Sequence, residues 1–230
     1  MKRFYKTVTV EPVTGGHAIR LDGRPVRTPK RAELILPTSA LALSVAAEWE
    51  GQADEIDPRA MPLTGLANAA IDHVAPDPGA FATMLAAYAE TDLLCYRADA
   101  PAELVGHQAE SWDPLIDWAQ QLYDVEFEII HGVMHRAQPP ETVARLTAAI
   151  HGYGAFHLAA LQPLVTIAGS LVIALALAEG EIDARTGFDI AHLDELWQVE
   201  RWGEDESATR MRDAHARDFK AAARFLALLV

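Results

Sequence analysis

Two histidines four residues apart, His131 and His135, are the first candidates for chemistry, because that spacing on a helix can present both imidazoles to one metal ion. The glutamate of an HExxH site is missing, and the stretch around them reads as loop, so no metal is expected. Ser170 follows Gly169 inside an apolar run instead of on a GxSxG elbow, and no base accompanies it. It reads as a small residue that lets helices pack closely. Cys95 is the single cysteine, which rules out an internal disulfide, a CxxC pair and any multi-cysteine zinc site. Set between aliphatic and aromatic neighbours, it reads as an inert core thiol. Asp92 and Arg97 on either side of it could form a paired network that stabilises the segment, with a catalytic carboxylate as the competing role. Neither GxxxxGK[ST] nor a GxGxxG after a strand is present, so no nucleotide or other cofactor is expected.

The densest charge lies near the C-terminus. Residues 179–206 hold ten carboxylates against two arginines, and Asp194-Glu195-Leu196-Trp197-Gln198-Val199-Glu200-Arg201-Trp202-Gly203-Glu204 mixes charge with large aromatics. Wound as a helix, Leu193, Leu196, Trp197 and Val199 turn inward while Asp194, Glu195, Gln198, Arg201 and Trp202 approach solvent. An exposed tryptophan rimmed by carboxylates suits a protein-binding hot spot. Asp194, Glu195, Gln198, Glu200, Trp202 and Glu204 are therefore the candidate partner-binding residues; a solvated helix face is the competing reading.

Composition narrows the class of partner. The chain has 230 residues, 50% hydrophobic and 23% charged, which fits a globular chain of one large or two small domains. Its formal charge of −14 opposes any general attraction to nucleic acid or anionic lipid. The alternating stretch after Met1-Lys2-Arg3 lacks the apolar run of a secretory signal. The most apolar segment, residues 164–178, falls short of the roughly 20 residues that cross a bilayer. It is expected as one buried central helix, hydrophobic all round and enclosed by others.

The elements that must position these residues fall into two parts. Residues 1–36 read as strands: Thr7-Val8-Thr9-Val10 alternates, Gly15-Gly16 offers a turn, and Asp22-Gly23 suits a tight hairpin into a return strand over 24–28. A short strand over 33–36 follows. This part carries eight basic against three acidic residues, a basic sheet beside an acidic body. Thr38 or Ser39 can cap a helix with Leu41, Val45 and Trp49 on one face, and Met61-Pro62 opens another; both are expected on the sheet. Pro76-Asp77-Pro78-Gly79 is the expected linker, giving domains 1–78 and 79–230. The second is expected to be helical: a stripe from Phe81 to Tyr88, a helix or helix pair through Trp112 with a break or start at Asp113-Pro114, and a helix from Pro139-Pro140. An extended piece over 126–130, a helix capped by Asp183 running towards Trp202, and a last one over 207–229 complete it.

Several of these segments together resemble a known family. Lys2-Arg3-Phe4-Tyr5-Lys6, the hairpin Leu21-Asp22-Gly23-Arg24-Pro25-Val26-Arg27-Thr28-Pro29, Glu48-Trp49-Glu50 with Gln52, and Met61-Pro62-Leu63-Thr64 carry the resemblance in the first part. Thr91-Asp92-Leu93-Leu94-Cys95-Tyr96-Arg97, Trp112-Asp113-Pro114-Leu115, Gly169-Ser170-Leu171, Ala174-Leu175-Ala176, Glu195 to Gln198 and Trp202-Gly203 carry it in the second. In this order, over nearly the whole chain, they resemble the assembly chaperones for the catalytic sector of F-type ATP synthase, the family that attends the alpha subunit.

The resemblance implies a non-enzymatic protein that binds the free alpha subunit, keeps its assembly surface from aggregating and yields it to beta. It implies an α+β fold, a small N-terminal α/β domain with an antiparallel sheet and covering helices, followed by a larger orthogonal helical bundle. It places functional weight on the acidic stretch before Trp-Gly, here Asp194, Glu195 and Glu200, and on Trp49, which reads as structural. Relatives in eukaryotes act in the mitochondrial matrix; for this chain a bacterial cytoplasm is expected, with no membrane insertion and no nucleic acid. Two rivals stay open: a small-molecule enzyme with a pocket near Asp92, Arg97 and His107, and a scaffold for some other subunit.

Overall fold

A computed structural model describes residues 1–132 and 134–230. The chain divides into two compact units, one formed by Met1–Pro78 with Gly154–Ala160 and Arg224–Val230, the other by Gly79–Tyr153 with Leu161–Ala223.

In the first unit, β1 (Val8–Val13) and β2 (Gly16–Leu21) pair antiparallel, with Val8 opposite Leu21 and Val10 opposite Ile19. Asp22 and Gly23 both take left-handed φ, 48° and 78°, which closes the next hairpin in the handedness its strands require. The Asp22 carboxylate also accepts from the Lys6 and Thr7 amides, tying the chain before β1 to this turn. The return strand is shorter than expected. Only Arg24–Pro25 pairs as β3, and only Ile35–Leu36 as β4, both on β2. The loop between them follows the Val26 amide, bonded to Ile19, and closes on itself instead of extending the sheet.

The helix α1 (Ser39–Glu50) lies on β1, β2 and β4, burying Leu41, Ala42 and Val45. Thr38 caps it, its Oγ1 accepting from the Leu41 amide at 3.2 Å. The following helix, α2 (Pro62–Ala69), packs mainly on α1, and the cause is a single side chain. Glu48 reaches from α1 to the start of α2, where its carboxylate accepts from the amides of Leu63 and Thr64, each at 2.8 Å, and from the Thr64 hydroxyl at 2.7 Å. A helix without a capping residue of its own thus borrows one. Nearby, Tyr5 donates to the Trp49 carbonyl at 2.6 Å and sets its ring against the indole. The segments of the first part that carry the family resemblance therefore hold this unit together, and Trp49 is structural here.

After the π-helical turn Ala70–Val74 and α3 (Pro78–Ala86), the second unit continues with β5 (Tyr96–Arg97), α4 (Ala102–Tyr123), β6 (Ile130–His131) and α5 (Pro140–His151). The pair β5–β6 is parallel. Two expectations for helices need correction. Pro114 neither breaks nor starts α4, which runs through it; Trp112 donates to the Ile190 carbonyl at 3.0 Å and Asp113 holds Arg97 at 2.7 Å, so tertiary contacts on either side offset the bond that proline removes. The apolar run 164–178 is two helices, α6 (Ala155–Ala168) and α7 (Leu171–Ala178). Gly169 takes φ 64° and Ser170 is extended, its Oγ accepting from the Ile173 amide at 3.0 Å. Ser170 is a helix cap and not a packing spacer. The expectation of a buried centre holds for α7, where residues 171 to 177 are all buried and α4 and α8 (Ala184–Ala191) pack around it.

A third correction concerns the C-terminal acidic stretch. The segment after Asp183 forms α8 and α9 (Leu193–Trp202), separated at His192, before α10 (Glu206–Ala227). His192 stacks on Phe188 at 3.9 Å and its Nδ1 lies 3.0 Å from the Phe188 carbonyl oxygen, which turns the chain out of the first helix.

Candidate functional site

The six candidate residues lie on and just after α9, and the structure divides them by what they already hold. Asp194 is engaged: its Oδ1 accepts from Gln108 Nε2 at 2.8 Å, and Gln108, 1% exposed, accepts in turn from the Ala98 amide at 2.8 Å. A chain of hydrogen bonds therefore runs from α9 through α4 to the end of β5. Glu195 and Glu204 share one cation, since Arg212 of α10 places Nη1 3.1 Å from Glu195 and Nη2 3.1 Å from Glu204. The Arg212 side chain is only 10% exposed, so this clamp is worth more than a surface ion pair.

Gln198, Glu200 and Trp202 form the remainder, exposed and without a hydrogen-bond partner among the described residues. Trp202 is 73% exposed and meets the buried Trp197 edge to face at 5.7 Å. Trp197 also carries the Arg201 guanidinium over its ring at 4.7 Å, and Arg201 is itself paired with Glu103 of α4. Gly203 ends α9, and Asp205 then accepts from the amides of Ser207 and Ala208 at 3.0 and 2.9 Å to start α10. The Ser207 hydroxyl, which also donates to it, and then these amides hold the Asp205 carboxyl below its ordinary titration range. The acidic stretch is thus a fixed ridge in which two carboxylates lock α9 to α10, one locks it to α4, and a tryptophan stands out with Gln198 and Glu200.

Sequence spacing missed the residues that fix this ridge. Arg212, Gln108 and Glu103 lie 17, 86 and 98 positions from the partners they bind. No local periodicity links such pairs.

The enzyme-like alternative is not assembled. Asp92 is fully buried at the N-terminus of α7, accepting from the Leu94 amide at 3.0 Å and the Val172 amide at 2.9 Å. Burial raises its pKa against those hydrogen bonds. Arg97 is spent on Asp113 and on the face of Trp112 at 5.1 Å, so the expected Asp92–Arg97 network does not form. A cavity of about 410 Å³ beside Arg97 is lined by Val105, Ile116, Ile129 and His131 among others, with neither Asp92 nor His107. Burial, reinforced by the Asp92 charge, pushes the Cys95 thiol up and leaves it unreactive. His135 is taken by the Tyr96 hydroxyl at 2.8 Å, and among the described residues no group of three or more His, Cys, Asp or Glu could hold a metal ion. No helix among them is long and apolar enough to cross a membrane.

Comparison with known proteins follows the same lines. The profile of the ATP12 chaperone proteins matches residues 2–120, more than half of the sequence. The chain belongs to the ATP12 chaperone family. A crystal structure of Atp12 from Paracoccus denitrificans is similar over 100% of this chain and 98% of that one, with 46% identity and a TM-score of 0.96. A protein from Agrobacterium tumefaciens is similar over 100% of this chain and 86% of its own, with 42% identity and a TM-score of 0.95. The mitochondrial protein atp12 of Schizosaccharomyces pombe is 25% identical over 219 residues, 90% of this chain and 75% of its own length. The ATP12 fold is accordingly that of this chain, a small antiparallel sheet with helices followed by a helical region, and its function is that of a chaperone of F1 ATP synthase assembly.

Proposed function

We propose that this ATP12 chaperone holds the free alpha subunit of the F-type ATP synthase catalytic sector through the α9 ridge, covers its assembly surface and releases it to the beta subunit. The observation that carries the reading is Trp202, a large aromatic 73% exposed on a ridge whose neighbours are pinned by Arg212 and Gln108. A rigidly mounted aromatic with a polar rim gives up little conformational entropy on docking, which is the usual composition of a hot spot. The carboxylates contribute steering and choice of partner more than affinity, so a basic strip on the client is the expected match. Handover needs only that beta binds the same surface more tightly. No bond-making step enters this reading, and a bacterial cytoplasm is the compartment it assumes; 46% identity to the Paracoccus protein supports that choice.

The test uses two of the three residues that make no side-chain hydrogen bond or ion pair among the described residues, Glu200 and Trp202. Glu200→Lys with Trp202→Ala should weaken capture of free alpha by roughly 30-fold or more, the scale of a lost aromatic hot spot. Circular dichroism and the thermal midpoint should stay as in the parent protein. Glu195→Lys is a poorer probe, because it sets a lysine against Arg212 and loosens the α9–α10 clamp. Unchanged capture by the Glu200/Trp202 double variant removes the ridge from the interface; no capture by the parent protein removes alpha as the client.

A further inference from the structure

The segment that follows β2, β3 and the loop after it, carries Arg24, Arg27, Lys30 and Arg31 within eight residues, all exposed. Among the described residues none of the four makes an ion pair, whereas nine of the fifteen arginines in the chain do. In a protein with 33 acidic and 19 basic residues, partners for cations are in excess, so four neighbouring cations without an ion pair, offset only by the attraction between Lys30 and Asp72, are a concentrated positive surface.

The loop is also built rigidly. Asp72, 4% exposed in the π-helical turn after α2, accepts from the Thr28 hydroxyl at 2.6 Å and the Lys30 amide at 2.9 Å. The Asp72 carbonyl accepts from Lys30 Nζ at 2.8 Å. Thr28 and Ala32 close the turn, amide to carbonyl at 2.9 Å and amide to Thr28 Oγ1 at 3.1 Å, and Arg31 donates to the Thr28 carbonyl at 2.8 Å. Arg31 adopts φ 70°, a left-handed conformation that a non-glycine residue keeps only when its surroundings impose it. Arg27 Nη1 donates to the Arg31 carbonyl at 2.9 Å, which orients that guanidinium as well. Burial pushes the Asp72 carboxyl up, but the bonds from Thr28 and Lys30 outweigh it and hold the group below its ordinary range, ionised under the loop.

We propose that this loop is a docking surface for an acidic segment of polypeptide. Arginine forks held at fixed roots match carboxylates in paired hydrogen bonds, and the ordering cost has already been met by the Asp72 anchor. Eight residues span at most about 28 Å and face only a few phosphates of a nucleic acid, while the net charge of −14 repels any longer polyanion. A short run of Asp or Glu in a protein partner fits both the length and the sign. The proposal rests on the reading of this chaperone as a holder of a free subunit: the occupant is an acidic segment of that client, gripped at a surface opposite in charge to the α9 ridge.

The experiment has two arms with the full chain. In the first, anisotropy of a short labelled peptide of alternating glutamate and alanine is titrated with the parent protein, with Arg27→Gln/Arg31→Gln and with Arg27→Glu/Arg31→Glu. Both variants should lose on the order of tenfold in affinity with unchanged thermal midpoints, since both side chains are exposed. Equal binding by all three overturns the proposal, and so does a single-stranded oligonucleotide of equal charge that binds the loop more tightly than the peptide. In the second arm, capture of free alpha is compared. If the parent captures alpha and the loop variants capture it equally, the loop proposal fails while the proposed function stands. If the parent binds the peptide through the loop but captures no alpha, the proposed function fails and the acidic-segment site stands.

Discussion

At the scale of single residues, a carboxylate with no exposed surface has to be explained by what it holds. Asp92 faces the first turn of α7, whose Val172 amide points at it, and also accepts from the Leu94 amide of its own segment, while Leu93 donates to the Gly169 carbonyl at 3.0 Å. It joins the segment before β5 to the break that separates α6 from α7. Removing a buried acceptor strands donors that no water can reach, so Asp92→Ala should cost about 3 kcal/mol of unfolding free energy. Asp92→Asn keeps an acceptor oxygen without the charge that burial penalises, and should cost no more than about half of that. Urea denaturation of the two variants checks the order; an alanine variant as stable as the asparagine variant shows that Asp92 caps nothing. The same logic explains why the sequence left its role open. An Asp, a Cys and an Arg in one short stretch have the ingredients of chemistry, and only the amides arriving from residue 172 reveal a structural carboxylate.

Among the elements, those with a local cause were legible in advance. Thr38 capping α1, Asp183 capping α8 with its bond to Thr186, the Asp22-Gly23 hairpin and the buried centre at α7 each follow from a few adjacent residues. The differences arise where a distant partner decides, as with Glu48 capping α2 and with Asp113 and Trp112 carrying α4 through Pro114; at His192 the partner is local, Phe188 four residues back, but a ring stack leaves no periodic signal. The candidate site divides in the same way, because its residue types were readable from position 194 onward while Arg212 and Gln108 were not. The His192 hinge has a measurable consequence. Its ring is half-buried between Phe188 and a surface that includes Glu195, His215 and Arg212, and burial, the largest influence, lowers its pKa despite the bond to the Phe188 carbonyl. A histidine whose folded pKa lies below the unfolded value of about 6.5 contributes its full stability above that pH, and the contribution is lost as pH falls through the window down to the folded pKa. His157 is lowered by burial as well and adds in the same direction. The urea midpoint should therefore fall between about pH 7 and about pH 5, and His192→Asn should flatten part of that fall. An identical slope in the variant would show that the hinge imidazole does not titrate with folding.

At the scale of the whole molecule, charge is segregated along the chain: eight basic against three acidic residues over 1–36, and ten carboxylates against two arginines over 179–206. Much of the acidic excess is not free to bind, because Asp194, Glu195 and Glu204 serve the packing of α9, so under the proposed function local ion pairing at the ridge is modest and the long-range field of a −14 chain governs the approach of a client. Salt acts differently on these two contributions. The Debye length shortens from about 14 Å to about 4 Å between roughly 0.05 and 0.5 M, which removes steering but would leave a desolvated contact of Trp202, as proposed for docking, intact. In stopped-flow capture of free alpha, the association rate should fall by about tenfold over that range while the dissociation rate changes by less than about threefold. Trp202→Ala should do the reverse, raising the dissociation rate with little effect on association. An association rate that rises with salt would mean the client meets this chain against its field, and the docking face would then have to be sought away from the acidic ridge.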